Sequence, residues 1–303
     1  MKWLFDRVFG NAYIVLIIAP LLWGGNAVAG RFAAGEWEPF TITAVRWFCA
    51  MLLLLPFAWG PLKNDWPVIK KNWLILFLLG SVGMAGFNLL MYWALNFTTA
   101  INVSIEQASM PVLIMLANFL ILSQRVRWLQ IIGLIVTLLG VLIAATAGEP
   151  LRFFSEGLNR GDVLMLIACV FYAAYTFGLR WRPDIHWLSF LTVIAASAFV
   201  LTIPFVSWEL SQKPFVLPGL SGWLVLLYVI TFPTVVSQLC YARGVQLLGS
   251  NRAGLFLNLV PIFGSVLAVL ILGESFRWYH FLGLILVLAG IGLAERAADK
   301  SGS

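Results

Sequence analysis

Two charged residues lie inside apolar stretches of the sequence. Glu106 is found in INVSIEQASMPVLIM, and Arg46 is found in TITAVRWFCAMLLLL. In apolar surroundings these two side chains can form an ion pair, and a pair that opens when a substrate or proton arrives would act as a gate. Glu106 can alternatively bind a substrate ammonium group or exchange a proton, or it can be a hydrated residue at a cavity mouth. The sequence leaves these alternatives open.

Other polar and aromatic side chains recur at helical spacing in the apolar stretches. Residues three or four positions apart share one face of a helix, so such pairs can line one cavity. Amides suit the charged groups of a zwitterion, and rings suit its apolar side chain. Bonding between helices and anchoring at the membrane surface are the alternative roles. The candidate substrate-binding residues are Trp23, Asn26, Asn88, Tyr92, Asn102, Glu106, Tyr172, Tyr175, Gln238, Tyr241 and Asn258.

The elements that must position these side chains are predicted to be transmembrane helices. The 303 residues are 61% hydrophobic and 11% charged, with a mean hydropathy of +0.95. Soluble domains contain about 45–50% apolar and about 25% charged residues, so this composition excludes a soluble fold. A helix crosses the bilayer with about 20 apolar residues. Ten segments qualify: residues 12–30, 39–58, 73–93, 99–121, 128–147, 162–179, 187–206, 221–242, 252–272 and 279–296.

The basic residues separate into two sets between these segments. Thirteen of the 19 Lys and Arg residues lie on the side of the N-terminus, and five lie on the opposite side. Cytoplasmic loops are enriched in Lys and Arg, so we expect a multi-pass plasma-membrane protein, in a bacterium the inner membrane, with both termini in the cytoplasm. The formal charge of +6 follows from this topology, and no nucleic-acid partner is predicted.

The sequence contains an internal repeat. Residues 111–145 align without gaps with residues 261–295, with matching proline, Arg-Trp and glycine positions. A second match, of WGGNAVAGR at residues 23–31 with YAAYTFGLR at residues 172–180, extends the repeat to five helices. Because five is odd, the second copy must cross the membrane in the opposite direction. We therefore predict an all-α integral membrane fold with ten transmembrane helices in two inverted five-helix repeats. The repeats are residues 1–150 and residues 151–303, the second ending in a short cytoplasmic tail. Inverted repeats are typical of secondary transporters.

Several motifs resemble a known family. The stretches WGGNAVAGRF and EPFTITAVRWFCAMLLLLP, and the repeated proline-to-glycine pattern at residues 111–133 and 261–283, resemble the drug/metabolite transporter superfamily and specifically its EamA branch. Within that branch the sequence is similar to the YddG-type aromatic amino-acid exporters. One departure is Ser123-Gln124, where the family has Gly-Glu, whereas Gly273-Glu274 keeps that pair.

This resemblance implies export of small metabolites, above all aromatic or neutral amino acids. It implies alternating access through a central cavity lined mainly by the first, third, fourth, sixth, eighth and ninth spans. Export of several drugs, cationic compounds or nucleosides is the alternative for the same fold.

Functions of other classes fit the sequence less well. His186 and His280 are the only histidines, and motifs of serine hydrolases and metalloproteases do not occur, so an intramembrane enzyme is not predicted. A non-transport membrane scaffold would not need an inverted repeat. No cofactor or metal site is predicted. The expected partners are a small-molecule substrate and the lipid bilayer, and the oligomeric state stays open.

Overall fold

The computed structural model describes most of the chain. The residues that it describes are 9–122, 128–151, 157–249, 253–254 and 256–299. Lys2, Arg125 and Arg252, which entered the charge count, lie outside these residues, as do Ser123-Gln124 and the end of the C-terminal tail. Within the described part the chain is helical and forms no β-strand, as predicted from the composition.

Helices occur over all ten of the predicted segments. Among the described residues, eight helices are long and apolar enough to span a bilayer, and two helices near the C-terminus have shorter apolar parts, Phe256–Leu272 and Trp278–Leu293. In chain order they are α1 (Ala12–Ala33), α2 (Pro39–Lys71), α3 (Trp73–Ala94), α4 (Ala100–Gln107 and Met110–Leu122), α5 (Trp128–Ala145), α6 (Arg160–Gly178), α7 (Trp187–Gln212), α8 (Leu220–Leu248), α9 (Leu259–Leu272) and α10 (Trp278–Asp299).

The second helix is longer than the predicted segment 39–58. It continues to Lys71 and contains 33 residues. A helix of this length measures about 50 Å at about 1.5 Å per residue, whereas the hydrocarbon core is about 30 Å thick. The end of α2, which includes Lys63 and Asp65, therefore extends beyond the apolar layer.

The fourth helix is broken directly after Glu106. Pro111 has no N–H group and disfavours a regular helix through the preceding turn. The N–H groups of Ala108 and Ser109 instead bond to carbonyl groups three residues earlier, those of Ile105 and Glu106. Glu106 thus lies at the end of the first piece of α4, at a discontinuity of the kind that transporters use near their binding sites.

The third and eighth helices each contain a π-helical turn. These turns are Leu79–Gly86 in α3 and Phe232–Val236 in α8, at similar positions in the two halves of the chain. In α8 the hydroxyl of Thr234 donates to the carbonyl of Val229 at 2.6 Å, across five residues. Such turns often mark functional sites because they rotate the side chains that follow.

The helices pack mostly between the first and second halves of the chain. The second helix packs along α7, α5 packs along α10, and α1 packs against α8 and α9, while α6 contacts α3 and α4. The α5–α10 contact is close because small residues face each other. A Cβ atom added at Gly140 would lie 2.7 Å from the carbonyl oxygen of Gly283, and one at Gly290 would lie 2.6 Å from that of Gly133.

Carboxylates connect the ends of helices that come from different halves. Glu274 accepts the backbone N–H groups of Ala100 and Ile101, at 2.9 and 3.0 Å, and so caps α4. Glu36 accepts the Ser221 hydroxyl at 2.8 Å and the Gly219 N–H at 2.9 Å, at the start of α8. Negative charge stabilises a helix N-terminus, so these contacts fix the helix ends in one layer.

Candidate functional site

Arg46 lies at the centre of a buried polar cluster, with a side chain that is only 4% exposed. Its Nε donates to the Thr234 hydroxyl at 2.9 Å. Its Nη1 donates to Asn26 Oδ1 at 3.1 Å, to Asn88 Oδ1 at 2.7 Å and to the Tyr92 hydroxyl at 2.6 Å. Four helices, α1, α2, α3 and α8, therefore meet at one guanidinium group. We call these five residues the Arg46 cluster.

The fold orients the acceptor atoms of the Arg46 cluster. Asn88 and Tyr92 are one turn apart on α3, as their spacing predicts. The Asn88 amide nitrogen donates to the carbonyl of Met84 at 2.7 Å, which turns Oδ1 toward Arg46. The Tyr92 hydroxyl donates to Asn26 Oδ1 at 3.0 Å. A network with every member bonded holds its groups in a fixed arrangement.

No carboxylate pairs with Arg46 among the residues that the structure describes. Its four acceptors are neutral, and Nη2 has no acceptor in this part of the chain. A charge in the membrane interior costs about 2.5–3.5 kcal/mol on insertion scales and usually has a partner or faces water. The planar guanidinium can bind a carboxylate through two parallel hydrogen bonds. A carboxylate is therefore a group that this guanidinium is chemically suited to bind.

The ion pair between Arg46 and Glu106, which the sequence allows, is not formed in this structure. Glu106 is completely buried, and neither of its carboxyl oxygens accepts a hydrogen bond within the described part of the chain. The first piece of α4 packs mainly against α9 and α6, and the Glu106 carboxyl group interacts with that of Asp162 on α6. Their location inside apolar stretches therefore did not place the two charges on facing sides.

Asp162 belongs to the site but was not singled out from the sequence. It is 1% exposed and accepts a hydrogen bond from the Thr98 hydroxyl, and Asn102 Nδ2 lies 3.5 Å from the same oxygen. Asn102 and Glu106 lie one turn apart on α4 and both face α6, in agreement with their spacing. In the sequence Asp162 looks like an ordinary first-turn acidic residue of a helix, which interacts favourably with the helix dipole.

Two pairs of aromatic side chains come from α1, α6 and α8. The Trp23 indole N–H donates to the carbonyl of Pro233 at 3.1 Å, and its ring centre is 5.5 Å from that of Tyr241. Tyr172 and Tyr175, both on α6, have ring centres 5.7 Å apart. We call these four predicted binding residues, in their two pairs, the aromatic group.

The two remaining candidates are not partners of Arg46. Gln238 is half-buried on α8, three residues before Tyr241. Asn258 ends a short 3₁₀ turn, Phe256–Asn258, directly before α9, although the predicted ninth segment begins at residue 252. The missed residue Thr234 faces Arg46 because it follows Pro233 in the π turn of α8. The second helix, which contributes Arg46, is not among the spans that the resemblance implies for the cavity.

The chain matches one protein family over most of its length. The sequence model of the EamA-like transporter family matches residues 10–146 and again residues 159–295. "Uncharacterized transporter YyaM" of Bacillus subtilis is 26% identical over 93% of this chain and 92% of that protein. "Uncharacterized transporter YetK" of the same organism is 24% identical over 93% of this chain and 86% of that protein.

Two further matches extend the comparison. The "Uncharacterized inner membrane transporter YicL" of Salmonella typhimurium is 24% identical over 91% of this chain and 92% of that protein. A crystal structure that is 19% identical superposes with a TM-score of 0.62 over 93% of this chain and 96% of that chain, which supports the fold alone. Because the two family matches together cover most of the sequence, the chain belongs to the EamA-like transporter family.

Proposed function

We propose that the protein is a secondary transporter that exports amino acids with aromatic or neutral side chains by alternating access. One observation carries this proposal: Arg46 is buried and has no carboxylate partner among the described residues. The carboxylate of an amino acid would supply the missing negative charge. Its affinity would come from a charge-assisted, two-point contact with the guanidinium.

The aromatic group supports an apolar substrate side chain. Trp23 pairs with Tyr241 between α1 and α8, and Tyr172 pairs with Tyr175 on α6. Rings of this kind stack on aromatic side chains and tolerate aliphatic ones. The combination of one cationic group and several rings favours an amino acid over a nucleoside or a permanently cationic drug.

We infer that the two halves of the chain cross the membrane in opposite directions, with ten crossings. Contacts between helix ends support this topology. The end of α3 contacts the start of α6 through the Asn159 side chain and the carbonyl of Phe97, at 3.0 Å. The end of α7 contacts the start of α2, and the end of α1 contacts the start of α8. The Lys and Arg distribution supports cytoplasmic termini, and the relative named as an inner-membrane transporter supports the same location.

Counterflow in liposomes tests the proposed function. Purified protein is reconstituted into liposomes loaded with unlabelled L-phenylalanine, and uptake of labelled L-phenylalanine is measured. We expect unlabelled L-tryptophan and L-leucine to compete with this uptake, and we expect nucleosides and cationic drugs not to compete with it. Absence of counterflow with all of these amino acids would overturn the proposal, and competition by a cationic drug alone would favour the drug-export alternative.

Two arginine variants test whether the counterflow depends on Arg46. Arg46→Gln should lower counterflow by about thirtyfold or more, because loss of one partner of a buried charge pair costs about 2–5 kcal/mol. Arg31→Gln is the matched control, since Arg31 lies at the end of α1 and donates to the backbone carbonyl of Leu95 at 2.6 Å, away from the Arg46 cluster. Equal losses in the two variants would argue against a specific role for Arg46.

A further inference from the structure

Glu106 and Asp162 form a second polar site that is separate from the Arg46 cluster. We propose that these two carboxyl groups hold a single proton between them, and that this proton is the coupling ion exchanged against the substrate. The coupling rests on the proposed transport function, whereas the shared proton is a property of the folded protein alone.

Two carboxyl groups buried side by side are more stable when they hold one proton. Glu106 is 0% exposed and Asp162 is 1% exposed, and α6 packs against the first piece of α4. Asn102, one turn before Glu106, has its Nδ2 3.5 Å from the Asp162 carboxylate, and the two carboxyl groups are close enough to interact. Neither oxygen of Glu106 has a donor within the described part of the chain. Two ionised carboxylates can only accept hydrogen bonds, so as buried neighbours they repel each other. One proton converts the repulsion into a hydrogen bond, as in other buried carboxyl pairs that share a proton.

The described surroundings supply no cation to neutralise the pair. On α6, Arg160 stacks on aromatic rings, and the Cys169 thiol donates to the backbone carbonyl of Glu106 at 3.5 Å. Arg31 of α1 donates to a backbone carbonyl. His280 of α10 accepts a backbone N–H through Nδ1, and the Glu274 carboxylate caps the start of α4. The helices α5 and α9 contain no titratable residue within their bounds.

A row of polar side chains leads from the Glu106–Asp162 pair toward the end of the bundle where α4 and α6 begin. Asp162 lies in the first turn of α6 and bonds to Thr98, two residues before the start of α4. Asn102 lies between Thr98 and Glu106 on the same side, and its buried Oδ1 has no partner in the described part of the chain. This side-chain oxygen can accept a hydrogen bond from a water molecule that carries the proton or from the protonated carboxyl group. The pair is therefore buried but close to one end of the bundle.

The arrangement of α6 and α4 couples the proton to the substrate. The sixth helix carries Asp162 at its start and Tyr172, a member of the aromatic group, further along. Glu106 lies at the break of α4, where the two pieces of the helix can move separately. A movement of α6 that accompanies substrate release therefore also changes the contact between the carboxyl groups. In one export cycle, one proton binds to the pair from outside and leaves into the cytoplasm while one substrate molecule moves out.

Infrared spectroscopy tests the shared proton without any transport measurement. At neutral pH the wild-type protein in detergent should show the C=O stretch of a protonated carboxyl group, shifted in heavy water. Glu106→Gln and Asp162→Asn should each lose this band. Glu149→Gln is the matched control, because Glu149 is an exposed carboxylate and should leave the band in place. A wild-type spectrum without the band, or a band that survives in both site variants, would overturn the proposal.

Transport under a pH gradient tests the coupling. Liposomes that are acidic inside, with the membrane potential clamped, should accumulate labelled L-phenylalanine up to about tenfold for a difference of about one pH unit. In Glu106→Gln the ratio of accumulation with and without the gradient should fall to about one, whatever flux remains, because that site cannot exchange a proton. An unchanged ratio, or accumulation driven by a sodium gradient instead, would contradict proton coupling. If the wild type shows no counterflow at all, the proposed function fails, and the infrared band still decides the proton site.

Discussion

Asp65 and Glu209 occupy corresponding positions at opposite ends of the α2–α7 pair: each carboxylate bonds to the start of the other helix. Glu209, near the end of α7, accepts the N–H groups of Phe40 and Thr41 at 3.0 and 2.8 Å. Asp65, near the end of α2, accepts the N–H of His186 at 2.9 Å. The two helices run antiparallel, and each is held at its start by a carboxylate from the other half of the chain. This reciprocity fits the antiparallel packing of the two helices.

Removing these caps should lower the stability of the fold without changing the transport site. Glu209→Gln should cost about 0.5–2 kcal/mol, the range for helix N-caps, and Asp65→Asn should cost less because Asp65 is more exposed. The two sites share no partner, so the effects should add in the double variant. The measurement is the thermal unfolding midpoint in detergent, with Glu149→Gln as the control. A double variant as stable as the wild type would show that the caps are not stabilising.

Asn88→Asp should lower the affinity of the Arg46 cluster for the substrate carboxylate. Asn88 Oδ1 already lies 2.7 Å from Arg46 Nη1, so a carboxylate at this position would form an internal ion pair. The substrate carboxylate would then compete with a fixed one, and we expect substrate affinity to fall by about tenfold or more, equivalent to about 1.4 kcal/mol.

The matched control for this variant is Asn96→Asp, the same change on an exposed residue near the end of α3. Equilibrium binding of labelled L-phenylalanine to detergent-solubilised protein measures both variants. Wild-type affinity in Asn88→Asp, with normal thermal stability, would mean that the anionic group of the substrate does not bind at Arg46.

The contact between Glu36 and the start of α8 should weaken in acid. The hydrogen bond from the Ser221 hydroxyl, followed by that from the Gly219 N–H, lowers the pKa of Glu36 below its ordinary value of 4.5. Because the folded-state pKa is lowered, the stabilisation is complete above the unfolded-state value and is lost as the pH falls through the folded-state value. The difference in thermal midpoint between wild type and Glu36→Gln should therefore be constant near neutral pH and should vanish in acid. A difference that grows in acid would have the wrong sign for this contact.

Gly140→Val should separate α5 from α10. The added Cβ would lie 2.7 Å from the backbone oxygen of Gly283. Overpacking of this kind lowers the free energy of unfolding by about 1–3 kcal/mol. Gly292→Ala on α10 is the control, because no described atom of another helix lies within 4 Å of a Cβ at that position. Thermal unfolding in detergent should show a loss for Gly140→Val and no loss for Gly292→Ala, since alanine favours a helix more than glycine does. Similar losses in both variants would show that the loss does not come from the close α5–α10 contact.

The sequence predicted the helices well because each segment is apolar over about the length that a bilayer requires. It also predicted which residues share a helix face: Asn88 and Tyr92 both contact Arg46, and Asn102 and Glu106 both face α6. Those predictions depend only on helical periodicity within one segment. Periodicity is local, so it needs no knowledge of how the helices pack.

The contacts between helices could not be predicted in the same way. Arg46 and Glu106 both lie inside apolar stretches, but this does not give the rotation of a helix, and Glu106 faces α6 instead of α2. Asp162 gives no distinct signal because an acidic residue in a first helical turn is common. Thr234 reaches Arg46 only because α8 contains a π turn after Pro233. Packing and local distortion of a helix depend on the whole fold.

The most direct test of the account is whether Arg46 recognises the carboxylate of the substrate. The affinities of L-phenylalanine and of L-phenylalaninamide, in which an uncharged amide replaces the carboxylate, are measured for the wild type and for Arg46→Gln. We predict that the wild type prefers the carboxylate by about tenfold or more, in line with the strength of a charge-assisted contact, and that Arg46→Gln binds both ligands equally. A wild-type preference that persists unchanged in Arg46→Gln would contradict the account.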